Sequence, residues 1–91
     1  MITLAFQVTG RVQGVSFRAW TVRTARALEL TGWVRNRSDG TVDGRATGPA
    51  DALALLEQAL HRGPPHAAVT AVHTTRHPPE SFQGFHVAPD A

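Results

Sequence analysis

The sequence contains no cysteine, no lysine and no tyrosine among its 91 residues. The absence of cysteine excludes disulfides, a thiolate nucleophile and a cysteine-ligated zinc site. No apolar run approaches the ~18 residues that a membrane-spanning helix needs. No basic region precedes the apolar N-terminal residues, as it would in a signal peptide. We therefore expect a single domain over residues 1–91 that is cytoplasmic and has no contact with a membrane.

The high isoelectric point of the chain, 11.1, does not indicate a nucleic-acid partner. All nine basic residues are arginines, and the formal net charge is only +2. With lysine and tyrosine absent, nothing but the N-terminal amine titrates between ~pH 8 and ~pH 12. The isoelectric point therefore rises without a strongly basic surface.

Apolar periodicity and turn-forming residues predict five strands and two helices. Strands are expected over residues 1–9, 33–37, 41–47, 68–73 and 85–87, with a hairpin turn at Ser38-Asp39-Gly40. Helices are expected after Ser16 and after Gly48-Pro49. This order predicts an α+β, ferredoxin-like β-α-β-β-α-β sandwich. Two helices should pack on one face of a four- to five-stranded antiparallel sheet, because each helix has one apolar stripe.

The ends and the buried faces of the helices can also be predicted. Ser16 is expected to cap the first helix through its side chain, and Gly32 to end that helix. The first apolar stripe comprises Phe17, Trp20, Thr24, Ala27 and Leu28. The second comprises Leu53, Leu56 and Leu60, with Ala52 and Ala59 beside them.

Two glycines bracket the segment between the first strand and the first helix, Gly10 to Gly14. A glycine-bounded loop before a helix exposes backbone N–H groups to an anion, although the same segment also fits a plain tight turn. It is not a nucleotide-hydrolase P-loop, because the glycine spacing is one residue short and the lysine is absent. Arg18 falls in the first helical turn, where the helix dipole disfavours a cation. Either a bound anion or solvation on an exposed face explains that position.

Asn36, the only asparagine, shares a strand face with Val34. If Val34 points toward the helices, Asn36 lies at the strand end beside the glycine loop, and a role in the hairpin turn is the alternative. His73 and His77 would lie ~13 Å apart on a strand, which is too far to chelate one ion. Ser16 has no base beside it and is not expected to be a nucleophile.

Two ungapped segments resemble the signatures of the acylphosphatase family. Residues 8–18 (VTGRVQGVSFR) resemble the first signature, and residues 32–42 (GWVRNRSDGTV), continuing to Gly44 and Gly48, resemble the second. Both segments occur in the family's order, and the resemblance covers nearly the whole chain.

The resemblance implies an enzyme that hydrolyses acyl phosphates to a carboxylate and inorganic phosphate. It implies that Arg18 and a cradle of backbone N–H groups bind the phosphoryl group, and that Asn36 positions the attacking water. The cradle residues are Arg11, Val12, Gln13, Gly14 and Val15. No metal and no cofactor are implied, and phosphate or sulfate is expected as a product-like ligand. We expect a monomer whose partner is a small acyl phosphate.

Two positions depart from other members of the family. Arg37 stands where some members carry a small hydroxyl residue that assists the reaction, and Ser16 stands where others carry cysteine. Neither change removes a catalytic residue, although Arg37 could alter turnover.

Two other functions use the same order of elements. One is the acylphosphatase-like domain of hydrogenase-maturation carbamoyltransferases, which we do not expect because no zinc-finger continuation follows Ala91. The other is an RNA-binding domain, which needs stacking aromatics on its central strands. Residues 41–47 contain none, and Phe6 belongs to the core face of the first strand.

Overall fold

The computed structural model describes all 91 residues and consists of one five-stranded sheet and two helices. The elements are β1 (Ile2–Arg11), α1 (Phe17–Ala27), β2 (Thr31–Asn36), β3 (Val42–Gly48), α2 (Ala50–Arg62), β4 (Ala68–His77) and β5 (Phe85–Val87). The strand order across the sheet is β4-β1-β3-β2-β5. Neither helix has the length and apolar character needed to cross a membrane.

The predicted ferredoxin-like sandwich is confirmed, but the sheet is mixed rather than wholly antiparallel. The strand pairs β1–β3, β1–β4 and β2–β3 are antiparallel, whereas β5 runs parallel to β2. The cause is the path of the chain after β4. The chain leaves β4 at one end of the sheet, crosses to the opposite edge at that same end and enters β5 there. β5 must therefore run opposite to β4. Because β2 also runs opposite to β4, β2 and β5 share a direction.

Two threonine hydroxyls hold that crossing segment against the sheet. The Glu80 N–H donates to Thr3 Oγ1 at 2.7 Å, and Thr47 Oγ1 donates to the Glu80 carbonyl at 2.9 Å. Since the Thr47 proton is used in this way, the 2.6 Å contact between the two hydroxyls has Thr3 as its donor. Thr3 is therefore fully buried, although it lies on the face of β1 opposite to the core residues Leu4 and Phe6.

One core of fifteen buried apolar residues lies between the sheet and the helices. Helix α2 contributes the predicted Leu53, Leu56 and Leu60. The predicted stripe of α1 was only partly right. Its buried residues are Phe17, Thr21, Val22 and Ala25, whereas Trp20, Thr24 and Leu28 are half-buried and Ala27 is exposed.

Thr21 can lie in the core because its hydroxyl has a partner within the helix. The hydroxyl donates to the carbonyl oxygen of Phe17, one turn earlier, at 2.9 Å. This local bond satisfies the polar group without water. Helix α1 contacts both β2 and β5. The buried face of α1 therefore depends on β5, the last strand in the chain.

Helix α1 ends before Gly32, contrary to the prediction. Glu29 adopts the left-handed conformation (φ 58°), and the Leu30 and Glu29 N–H groups donate to the carbonyls of Ala25 and Arg26. These two bonds are the Schellman motif that usually carries glycine at the left-handed position. Gly32 instead lies within β2 at φ 147°, where an added Cβ would sit 1.9 Å from the carbonyl oxygen of Arg45. Its role is close strand packing.

Replacing Gly32 with alanine should destabilise the protein far more than replacing Gly40. Both glycines have positive φ, but a Cβ on Gly40 meets nothing within 4 Å. The strain of positive φ alone costs ~1–2 kcal/mol, and the clash with β3 backbone should bring the Gly32→Ala loss to ~3 kcal/mol or more. Urea denaturation of both variants checks this. Equal losses would show that the strand contact is unimportant.

Candidate active site

A cleft of about 420 Å³ opens where the end of β1, the start of α1 and the end of β2 meet. Eight residues line it: Val12, Gly14, Ser16, Phe17, Arg18, Ala19, Asn36 and Val87. The structure therefore brings together the glycine loop, Arg18 and Asn36, which the sequence analysis selected separately.

The glycine loop is shorter than predicted, because β1 extends through Arg11. The ladder with β4 is interrupted by an irregularity between Thr9 and Gly10 and then resumes, pairing Gly10 with Val69 and Arg11 with Ala68. Of the five predicted cradle residues, Arg11 thus ends the strand, and Val12 and Gly14 lie on the cleft.

The side chain of Gln13 connects the loop to the β2–β3 hairpin. Its amide nitrogen donates to the carbonyl oxygens of Arg37 at 2.8 Å and Thr41 at 2.9 Å. These carbonyls flank the turn, and the Arg37 N–H in turn donates to the Thr41 carbonyl at 2.8 Å. The loop is therefore fixed to the hairpin that follows Asn36, with both amide hydrogens of Gln13 used.

Ser16 does not cap α1 through its side chain, so that prediction was wrong. Its backbone is left-handed (φ 64°), and its hydroxyl makes no capping hydrogen bond. The first turn of α1, with Phe17, Arg18 and Ala19 on the cleft, consequently has no side-chain acceptor for its free N–H groups. Such an uncapped N-terminus favours an anion.

Arg18 projects into the cleft and pairs with a carboxylate at the other end of the chain. Its Nη1 lies 3.2 Å from Oδ1 of Asp90, and the two side chains are 39% and 64% exposed. This is the only ion pair that Arg18 makes, and it uses one guanidinium nitrogen. The remaining donors stay available, and an exposed pair of this kind is weak enough for a phosphate to displace.

Asn36 ends β2 with its side chain in the cleft. Val34, two residues earlier, is fully buried, so the face assignment made from strand alternation is confirmed. The side-chain oxygen Oδ1 of Asn36 is buried and has no hydrogen-bond partner in the protein. Because buried acceptors are rarely left unpaired, this atom indicates a place for a water molecule or a ligand.

Arg37 lies outside the cleft, on the other side of the hairpin. Its Nη1 contacts Oδ2 of Asp43 at 3.2 Å, and the same carboxylate accepts from Nε of Arg35 at 2.9 Å. The hydrogen bond from Arg35 to Asp43 raises the pKa of the Arg35 guanidinium. In the turn, the hydroxyl and N–H of Thr41 lower the pKa of Asp39. Arg37 thus belongs to a charge network that holds the hairpin.

The roles of three side chains at the site were not predicted, although Gln13 was predicted to contribute its backbone N–H to the cradle. The side chains of Gln13 and Asp90 act through partners distant in the chain, and no local pattern reveals such contacts. The position of Val87 could have been predicted. It lies two residues after the buried Phe85 in the same strand, so both side chains are on the helix side of the sheet.

The chain is similar to known proteins over almost its full length. A family model described as Acylphosphatase matches residues 4–87. A protein named Acylphosphatase from Salinibacter ruber is 51% identical over 82 residues, which cover 89% of this chain and 86% of the relative.

Solved structures agree with this match. The crystal structure of acylphosphatase from Bacillus subtilis gives a TM-score of 0.94 at 37% identity, covering 97% of this chain and 99% of that chain. An acylphosphatase structure from Coxiella burnetii gives a TM-score of 0.92 at 39% identity, covering 96% and 92%.

Replacing Gln13 with leucine should lower the free energy of unfolding by ~1–3 kcal/mol, because two hydrogen bonds between loop and hairpin are lost. Gln7→Leu is a matched control, since the Gln7 amide makes a single 3.2 Å bond to the Thr41 hydroxyl on the same hairpin. Its loss should stay below ~1 kcal/mol. Urea denaturation compares the two, and a Gln13 variant no less stable than the Gln7 variant would contradict the connecting role.

Proposed function

This chain belongs to the acylphosphatase family and hydrolyses acyl phosphates, and we propose that Arg18 binds the phosphoryl group while Asn36 positions the attacking water. The observation that carries the proposal is the unpaired, buried Oδ1 of Asn36 in the same cleft as Arg18.

The phosphoryl group is held by backbone N–H groups and one guanidinium. Arg11 at the end of β1 and the loop of residues 12–15 supply the cradle, and the uncapped first turn of α1 adds the positive end of a helix dipole. Arg18 suits this place because its planar fork can meet two phosphate oxygens at once. Inorganic phosphate and sulfate are then product-like ligands of the same cradle.

Asn36 holds the water by both ends of its amide. The buried Oδ1 accepts one O–H of the water, and the amide nitrogen donates to a lone pair, which turns the other lone pair toward phosphorus. Gln13 fixes the hairpin that follows Asn36 to the phosphate loop, so the water and the phosphoryl group are kept in one frame. Orientation of this kind is a large part of the barrier to a displacement reaction.

The reaction needs no acid or base from the protein. The departing group is a carboxylate whose conjugate acid has a pKa near ~4, so it leaves without protonation. The proton of the attacking water passes to an oxygen of the phosphoryl group itself. Because phosphoryl transfer passes through a loose transition state, positioning and charge stabilisation dominate catalysis. The eight residues lining the cleft include no histidine and no carboxylate, and the carboxylate beside it, Asp90, is paired with Arg18, in keeping with this route.

Several accompanying proposals rest on the sequence pattern. Residues 1–91 act as one acylphosphatase-like domain, as a monomer, in the cytoplasm and without metal or cofactor. The structure contains no group of three histidine, aspartate or glutamate residues arranged to hold a metal ion.

Purified protein should release phosphate from acetyl and benzoyl phosphate but not from p-nitrophenyl phosphate. The phenolate is a poorer leaving group than a carboxylate, and the cleft has no acid to protonate it. Phosphate release should also survive excess EDTA. Comparable hydrolysis of the aryl ester, or activity that Mg²⁺ or Zn²⁺ restores after EDTA, would contradict the proposed mechanism.

Arg18→Ala and Asn36→Ala should fail in different ways. Removing the Arg18 charge should weaken inhibition by inorganic phosphate and also reduce turnover by at least ~10²-fold. Removing the Asn36 amide should reduce turnover by a similar factor but leave the phosphate inhibition constant within a few-fold of wild type, because its partner is water. Arg18→Lys should restore activity only in part.

The measurements are phosphate inhibition constants and turnover on benzoyl phosphate, with circular dichroism as the check on folding. Loss of phosphate affinity in Asn36→Ala equal to that in Arg18→Ala would make Asn36 a phosphate ligand and remove its assigned role.

A further inference from the structure

Val87, the last residue of β5, lines the cleft, and the segment that follows it runs beside the cleft along β2. The Ala88 N–H donates to the Val34 carbonyl at 2.8 Å, and the Ala91 N–H donates to the Asn36 carbonyl at 3.0 Å. These bonds lie on either side of Asp90 and carry the chain along β2 to Asn36. Val87 and Asp90 are therefore fixed beside the site by backbone contacts.

The side-chain surface left for the acyl group is mostly apolar, with the Ser16 hydroxyl as its polar group. Val12 and Phe17 also line the cleft, but each is only 1% exposed. Outside the phosphate-binding residues and Asn36, the exposed side chains of the lining are Ser16, Ala19 and Val87, and Val87 is 48% exposed. An exposed valine at this place offers contact to a hydrocarbon group and no hydrogen bond to a polar one.

A negative charge stands at the edge of this apolar surface. The Asp90 carboxylate contacts Arg18 at 3.2 Å in the free protein. A bound phosphoryl group competes for Arg18, but the backbone bonds of Ala88 and Ala91 keep Asp90 at the cleft. A second anionic group on the substrate would then face both a carboxylate and a valine. Two like charges ~6 Å apart in water disfavour binding about threefold, and more where solvent is partly excluded.

We propose that Val87 and Asp90 select the acyl group, so that the enzyme prefers acyl phosphates with an apolar, uncharged acyl chain over those that carry a second negative charge. The inference rests on the proposed assignment of Arg18 to the phosphoryl group. It goes further by assigning the substrate class to two residues outside both family signatures.

Butyryl phosphate and succinyl phosphate test the role of Asp90, because they differ mainly by a methyl group against a carboxylate. Wild type should have the higher kcat/KM on butyryl phosphate. In Asp90→Asn the butyryl-to-succinyl ratio of kcat/KM should fall ~3- to 10-fold. Any effect of freeing Arg18 acts on both substrates and cancels in the ratio. The ratio change should shrink at 0.5 M NaCl, because exposed charges are screened.

Asp51→Asn is the matched control for Asp90→Asn. Asp51 is exposed in the first turn of α2, at the end of the sheet opposite the cleft, and makes only a local bond to the Ala52 N–H. The same change of charge there should leave the butyryl-to-succinyl ratio unchanged.

Val87→Ala tests the apolar contact. It should lower kcat/KM for butyryl phosphate ~3- to 10-fold more than kcat/KM for acetyl phosphate, since the longer chain has more hydrocarbon to contact the valine. Thermal denaturation shows whether the variant is folded.

Each outcome decides whether Asp90 and Val87 select the acyl group. A butyryl-to-succinyl ratio that moves less than twofold in Asp90→Asn, moves equally in Asp51→Asn, or ignores salt overturns the role of Asp90. Equal loss on acetyl and butyryl phosphate in Val87→Ala overturns the role of Val87. In those cases an inactive Arg18→Ala would leave the proposed function standing, whereas a wild type that hydrolyses neither substrate would remove both.

Discussion

The two hydrogen bonds from the Gln13 amide are the contact on which the geometry of the site depends. The phosphate loop leaves the sheet at the end of β1, and the hairpin next to Asn36 leaves it at the end of β2, with β3 between those strands. Beyond the last paired residues of β1 and β2, the strand ladders do not fix the loop and the hairpin relative to each other. A single side chain that donates to carbonyls on both sides of the turn supplies that constraint. The groups that we propose to bind phosphate and water are therefore held in one frame.

The direction of β5 explains the third side of the site. The chain crosses the sheet at the end remote from the cleft, where the Thr3 and Thr47 hydroxyls hold Glu80. The short final strand then points toward the cleft instead of away from it, parallel to β2. Any residues after Val87 must arrive beside Asn36. An antiparallel β5 would have carried Asp90 away from Arg18, so a contact at one end of the sheet determines what stands at the other.

Much of the fold and the centre of the site could be predicted, because the signals involved are local. Alternation in β2 placed Asn36 on the helix side with Val34, and the glycines marked the loop. Two of the failures share a cause, which is that packing between segments distant in the chain decided them. The buried face of α1 depends on β5, and the burial of Thr3 depends on the segment that crosses over it. Ser16 looked like a cap from its residue type, but the turn into the cleft requires a left-handed backbone there.

The strain at Ser16 fits the chemistry that surrounds it. A serine in the left-handed region costs about 1 kcal/mol or more, and a side-chain cap would have stabilised the helix instead. Such a cap, however, would accept hydrogen bonds from the same N–H groups that a phosphoryl group needs. An uncapped helix and a strained turn keep those donors free until an anion arrives.

Only Arg18 carries a full positive charge among the residues lining the cleft, and its paired Asp90 offsets that charge in the free protein. In the proposed site, binding of a phosphoryl group would therefore depend on directed dipoles more than on net charge, which agrees with a chain whose formal charge is only +2.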